Sequence, residues 1–186
     1  MYYIWKLYFK ITGWKIHHPF PGPLPKAVLA VGPHTSWHDF FIGLAARSLM
    51  RIGPIHFLGK KELFDGPFGW LFRALGGTPV DRFSSKGMVD QVAELFSKDA
   101  NFKIALAPEG TRKKVDKLRS GFYHIAQKAG VPIVLVGFDF KTRQVYFSEP
   151  LLPSDEEQDM KTILQFFAGI TGKFPEKGLQ HLAGVE

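Results

Sequence analysis

From Ala27 onward, short apolar runs alternate with segments whose apolar residues recur every three or four positions, and this alternation restricts the fold more than any other feature. Ala27 to Gly32, Ile55 to Leu58, Thr78 to Val80, Phe102 to Ala107 and Val131 to Phe140 read as buried strands. Phe40, Phe41, Leu44, Ala45 and Leu49 follow helical spacing, as do Met88, Val92, Leu95 and Phe96, and then Phe122, Ile125, Ala126 and Ala129. Gly130 and Pro132 stop the third of these helices. Gln144 to Ser148 pairs with the last strand as a hairpin, and Ser154-x-x-Glu157 predicts a capping box opening a helix through Ile163, Phe166, Phe167 and Ile170. The expected fold is α/β, a mostly parallel central sheet flanked by helices. A chain of 186 residues is one domain's length and can bury a substantial core without disulfides. It has no cysteine, which removes thiolate nucleophiles, iron–sulfur clusters and cysteine zinc sites.

The amino terminus differs in composition. Tyr2, Tyr3, Ile4, Trp5, Leu7, Tyr8, Phe9, Ile11, Trp14 and Ile16 are interrupted by Lys6, Lys10 and Lys15. The stretch is too short and too charged to span a bilayer, and no small-residue cleavage site follows it. It predicts a short amphipathic helix, either lying in a membrane interface or packed on the domain's own core. The prolines between Pro19 and Pro25 form a rigid connector. The expected organisation is an amphipathic helix over 1–18, a main domain over 19–172 and a frayed tail over 173–186.

Residues 1–120 carry 18 basic against 9 acidic side chains, whereas residues 121–186 carry 6 against 8. The positive field of the first two thirds suits nucleic acid, an anionic membrane or a phosphorylated substrate. No recognition-helix, ribonucleoprotein or zinc-finger signature is present, so no nucleic-acid partner is expected. The seven histidines are scattered, and neither a metal nor a cofactor is called for.

In an open α/β sheet, ligands bind at the carboxyl ends of the strands. Three segments lie there: Pro33-His34-Thr35-Ser36-Trp37-His38-Asp39, Gly76 to Arg82, and Pro108-Glu109-Gly110-Thr111-Arg112. A loop between His34 and Asp39 can fold back and bring carboxylate to imidazole, which fixes the tautomer and makes the other ring nitrogen a base. Equally, Asp39 or Ser36 serves as a helix cap and His34 as an ordinary loop histidine. Ser36 lacks the Gly-x-Ser-x-Gly elbow of a serine hydrolase. The second and third segments are glycine turns ending in arginine, a composition suited to a phosphate. Glu109 either accepts from a substrate hydroxyl or pins its own loop.

In this order, the segments resemble the glycerophospholipid acyltransferase family. Its Asn-His-x-Ser-x-x-Asp block is met by His34, Ser36 and Asp39, its glycine turn by Gly76 to Arg82, its Pro-Glu-Gly-Thr-Arg block by Pro108 to Arg112, and its Val-Pro-Ile block by Val131 to Ile133. Pro33 replaces the usual asparagine, and Ala107 stands where an aromatic is common. The resemblance implies a glycerol-3-phosphate acyltransferase-type αβ fold and transfer from acyl-CoA or acyl carrier protein to a lysophospholipid. That acceptor is 1-acyl-glycerol-3-phosphate in the first place, with another hydroxylated lipid as the alternative. It implies His34 and Asp39 as the catalytic pair and Ser36, Arg82, Glu109, Gly110, Thr111 and Arg112 as substrate-binding residues. Trp37, Phe40 and Phe68 are candidates for an acyl channel. The implied location is peripheral, on the cytoplasmic face of an anionic membrane. A thioester hydrolase and a catalytically idle membrane binder are the rivals.

Overall fold

The computed structural model describes residues 1–80 and 87–184, and the side chains within them except those of residues 60, 61, 63 and 80. The elements are α1 (Tyr2–Thr12), β1 (Lys15–Ile16), β2 (Ala27–Gly32), α2 (His38–Met50), β3 (His56–Lys60), α3 (Lys61–Asp65), α4 (Gly69–Ala74), β4 (Gly77–Val80), α5 (Met88–Lys98), β5 (Lys103–Leu106), α6 (Gly121–Ala129), β6 (Ile133–Asp139), β7 (Gln144–Phe147) and α7 (Glu156–Ala168). The strands form one sheet in the order β1-β7-β6-β2-β5-β3-β4. The five strands from β6 to β4 run parallel; β7 is antiparallel to β6, and β1 pairs parallel to β7.

Two apolar layers explain why the central strands are continuous hydrophobic runs. Along β2 and β6, Val28, Ala30, Ile133 and Leu135 face a core shared with α5, α6 and α7. Their neighbours Ala27, Leu29, Val134, Val136 and Phe138 face the opposite core, which α1 and α2 close through Phe9, Ile42, Ala45 and Ala46. The period of two along each strand therefore sorts side chains between two helical layers. Register sets the rest: Ala30 lies opposite Leu106 and Gly32 opposite Gly137, so the carboxyl ends of β2, β5 and β6 are level and the loops after them meet.

The ends of the chain depart from expectation. The first helix stops at Thr12, with Gly13 in the left-handed region, and Lys15–Ile16 joins the sheet edge. The first helix of the chain is both buried and exposed: Phe9 packs inward, while Tyr3, Ile4, Leu7 and Ile11 face solvent. The capping box is displaced by one residue. Asp155, in extended conformation, accepts from the Glu157 and Gln158 N–H groups at 3.0 and 3.2 Å, while the Ser154 N–H donates to Asp159 Oδ2 at 2.9 Å. The same Asp159 oxygen accepts from the buried Tyr123 hydroxyl at 2.8 Å, joining α6 to α7. Beyond α7, the segment expected to fray turns through two short 3-10 helices and buries Leu179, with Leu182 packed on the same core.

Candidate active site

The loop after β2 returns on itself within one helical turn. His34 Nδ1 lies 3.0 Å from Asp39 Oδ2, and the Ser36 N–H donates to the same oxygen at 3.0 Å. Asp39 sits in the first turn of α2, where the helix dipole favours a negative charge. A carboxylate only accepts, so Nδ1 carries the ring proton and Nε2 keeps its lone pair. The carboxylate is sealed at 2% exposure, whereas the imidazole is 27% exposed. This combination leaves a base accessible while its orienting group is shielded from water.

From below, the turn after β5 braces the same loop. Glu109 is 1% exposed, and its Oε1 accepts the His34 backbone N–H at 2.7 Å. Its Oε2 is buried without a hydrogen-bond partner. Burial pushes the carboxyl from its ordinary 4.5 up to about 7, against the opposing pull of the His34 N–H. Sequence leaves open whether this residue meets substrate or pins its own loop; its Oε1 holds the backbone of the histidine loop. Gly110 follows at φ 65°, and the Arg119 side chain crosses so close that a Cβ on Gly110 would lie 2.9 Å from Arg119 Nε. The Arg119 N–H also donates to the Pro108 carbonyl at 2.8 Å.

A raised carboxyl has a stability signature with a definite sign. Neutral Glu109 contributes fully below pH 4.5, and that contribution is lost as the pH rises through about 7, because the unfolded chain has already released its proton. Glu109→Gln keeps an acceptor for the His34 N–H and removes the titration. The difference in stability between variant and parent should therefore shift in the variant's favour by about 3 kcal/mol between roughly pH 5 and pH 8. Chemical denaturation across that range measures it, and a pH-independent difference would contradict the raised value.

Two spaces meet at His34. One is an apolar cavity of about 280 Å³ between α2 and the sheet, running past Asp39, Phe40, Gly43 and Val136 to Arg47, Ile52 and Ile55. Arg47 follows Asp39 by eight positions on α2, about 12 Å along the axis. At its far end the Arg47 guanidinium donates to the Ile55 and Leu75 carbonyls at 3.3 and 3.4 Å, and burial lowers its pKa. The other is an open groove of about 1160 Å³ lined by Gly110, Thr111, Arg112, Arg119, Ser120 and His124 among others. His34 lines both.

The structure thus brings His34, Asp39, Ser36, Glu109, Gly110, Thr111 and Arg112 to one end of the sheet; Arg82 lies outside the described residues. Ser36 is buried and bonded within its own loop. Phe40 lines the cavity, whereas Trp37 and Phe68 are 57% and 64% exposed and do not. Arg119 stands in a lysine- and arginine-rich stretch of sequence that by itself marks no site, and its place over Gly110 follows from the tight turn. Arg47 gave no signal, since an arginine on an amphipathic helix normally faces water. Among the described residues, no group of three or more histidine, aspartate or glutamate side chains is placed to hold a metal.

Fold and site together define an α/β protein in which a carboxylate-oriented histidine stands between an apolar cavity and a basic groove. The acyltransferase family model matches residues 15–139, and the chain belongs to that family. It is 30% identical over 112 residues to the 1-acyl-sn-glycerol-3-phosphate acyltransferase of Streptococcus pneumoniae (strain ATCC BAA-255 / R6), a match covering 59% of this chain and 40% of that protein. The chain thus spans well under half of that relative's length. The fold is similar to the crystal structure of the 1-acyl-sn-glycerophosphate (LPA) acyltransferase PlsC from Thermotoga maritima. The TM-score is 0.58 at 21% identity, and the match covers all of this chain and 79% of the other.

Proposed function

We propose that this chain transfers an acyl group from a thioester, on coenzyme A or acyl carrier protein, to the hydroxyl of a lysophospholipid, foremost 1-acyl-glycerol-3-phosphate. The observation carrying this reading is that His34 lines both the apolar cavity and the basic groove. An acyl chain in the cavity would present its thioester carbonyl at the histidine, and a phosphate held by Arg112 and Arg119 would bring the acceptor hydroxyl to the same point. Nε2 of His34 takes the hydroxyl proton as the oxygen attacks the carbonyl carbon; the intermediate collapses with cleavage of the carbon–sulfur bond, and the imidazolium returns the proton to the thiolate. Asp39 holds the ring and offsets its transient charge. No acyl-enzyme is needed, and Glu109 acts on the loop and not on substrate.

The test is release of free thiol from an acyl thioester with and without 1-acyl-glycerol-3-phosphate, together with detection of phosphatidic acid. Release that requires the lipid supports the transferase. Release without it makes the chain a hydrolase, and release only with a different lyso-lipid moves the acceptor.

A peripheral membrane location belongs to the same proposal. No helix among the described residues is long and apolar enough to cross a bilayer. Instead Tyr3, Ile4, Leu7 and Ile11 leave the outer side of α1 apolar, with Lys6 and Lys10 on the same helix to meet anionic headgroups. Replacing these four with serine, which leaves the buried Phe9 and Trp14 untouched, should weaken co-sedimentation with phosphatidylglycerol vesicles at least about tenfold. Undiminished binding would refute the anchor.

A further inference from the structure

His38 is adjacent to Asp39 yet takes no part in its pairing with His34. Its ring is bonded at both nitrogens: Lys173 Nζ lies 2.8 Å from Nε2, and Nδ1 lies 2.9 Å from Ser36 Oγ. An ammonium group has donors and no acceptor, so Nε2 must accept from Lys173. A neutral His38 then carries its proton on Nδ1 and donates it to Ser36 Oγ, which also receives the His38 backbone N–H at 3.3 Å. Ser36 in turn donates its own N–H to Asp39 Oδ2, the oxygen that holds His34. Lys173 is therefore linked to the histidine–carboxylate pair through the His38 ring and the two polar groups of Ser36, its hydroxyl toward His38 and its backbone N–H toward Asp39.

Lys173 is delivered by a segment that is itself docked on this loop. The Phe174 N–H donates to Thr35 Oγ1 at 3.3 Å, and the Phe140 N–H donates to the Thr171 carbonyl at 2.8 Å. Gly172 lies so close to Thr35 that a Cβ there would stand 2.7 Å from Thr35 Cγ2, so only glycine permits the approach. The segment lies beyond residues 15–139, which the acyltransferase family model matches. These contacts are specific, buried on the Thr35 and Ser36 side, and not used by the transfer chemistry proposed above.

We infer that Lys173 is a positioning residue for the His34–Asp39 pair, acting by fixing the ring tautomer of His38 and through it the hydroxyl of Ser36. The inference rests on the reading of His34 as the base. With Lys173 donating, Ser36 Oγ is an acceptor toward His38, and the loop closes in the geometry that aims the Ser36 N–H at Asp39. Without that donor, the His38 proton is free to move to Nε2, the bond to Ser36 reverses so that the Ser36 hydroxyl donates to Nδ1, the ring loses its tie to the segment after α7, and the His34 imidazole is held less firmly. A small displacement of a base costs turnover more than substrate binding.

The experiment compares the parent chain with Lys173→Met and Lys173→Arg, uniformly labelled with ¹⁵N, at about pH 8, above the ordinary imidazole range. The His38 ring signals are assigned with His38→Gln. The expected result is a His38 ring protonated at Nδ1 in the parent and in Lys173→Arg, and shifted toward Nε2 protonation in Lys173→Met. In parallel, kcat for acyl transfer should fall about tenfold in Lys173→Met at unchanged KM, and return to within about threefold of the parent in Lys173→Arg. An unchanged His38 tautomer in Lys173→Met overturns the inference, including when kcat falls, since the lysine would then be only a brace. Unchanged kcat also overturns it, and a raised acceptor KM at constant kcat would make Lys173 a substrate contact instead. If the parent transfers no acyl group, the acyltransferase reading fails, while the ring signals still decide whether Lys173 sets the tautomer.

Discussion

His34→Ala should lower lysophospholipid-dependent thiol release about 10²- to 10⁴-fold while far-ultraviolet circular dichroism and the melting transition stay close to the parent's. The size of the loss is what a general base contributes to a transfer reaction. The fold should survive because the imidazole is partly exposed and packs in neither core cluster, and because Asp39 keeps the Ser36 N–H when the ring is gone. Asp39→Asn should lose activity over a similar range by a different route. A carboxamide offers a donor as well as an acceptor at the position where Nδ1–H now donates, so the ring can settle in the opposite tautomer with Nε2 protonated and useless as a base. Phosphatidic acid formation by either folded variant at the parent's rate would end the assignment of the pair.

Gly43→Leu should separate long from short acyl donors. Gly43 lies on the side of α2 that lines the apolar cavity, and a Cβ built there meets Phe138 Cζ at 3.5 Å, an ordinary contact, so the helix accepts the substitution and the side chain enters the empty space. A leucine is also the better helix former. It would occupy room that about three methylenes of a donor chain would otherwise fill, and at about 0.8 kcal/mol each the loss is about 2 kcal/mol, or thirty- to hundredfold in kcat/KM for the longest donors. Octanoyl thioesters, which need less of the cavity, should be little affected. A loss equal across the series from octanoyl to octadecanoyl would mean that the acyl chain lies elsewhere.

Much of this molecule is legible in its sequence. The strand over Ala27 to Gly32 and the long apolar run ending at Phe140 were readable because a strand buried on both faces needs no polar alternation. The helix entering at Asp39 was readable because one apolar face recurs at helical spacing. The pairing of His34 with Asp39 was also readable as a candidate, since five residues of loop and helix start are a local matter. Displacement of the α7 cap from Ser154 to Asp155 was not, because both are good caps and only the backbone conformation of residue 155 chooses between them.

Sequence by itself determined the layered α/β architecture, the place of the candidate site at the carboxyl ends of the strands and the residue types available there, because these follow from local periodicity and short-range spacing. Tertiary structure alone decided what those residues touch. Strand register levels β2 with β5 and turns Glu109, a plausible surface ligand in the linear chain, into a buried support for the His34 backbone. The crossing of α2 over the sheet opens a cavity that Phe40 lines and Trp37 does not, and the return of the chain after α7 brings Lys173 to a histidine 135 positions earlier. Contacts of that separation depend on how whole elements pack, and no short-range pattern in the sequence carries them.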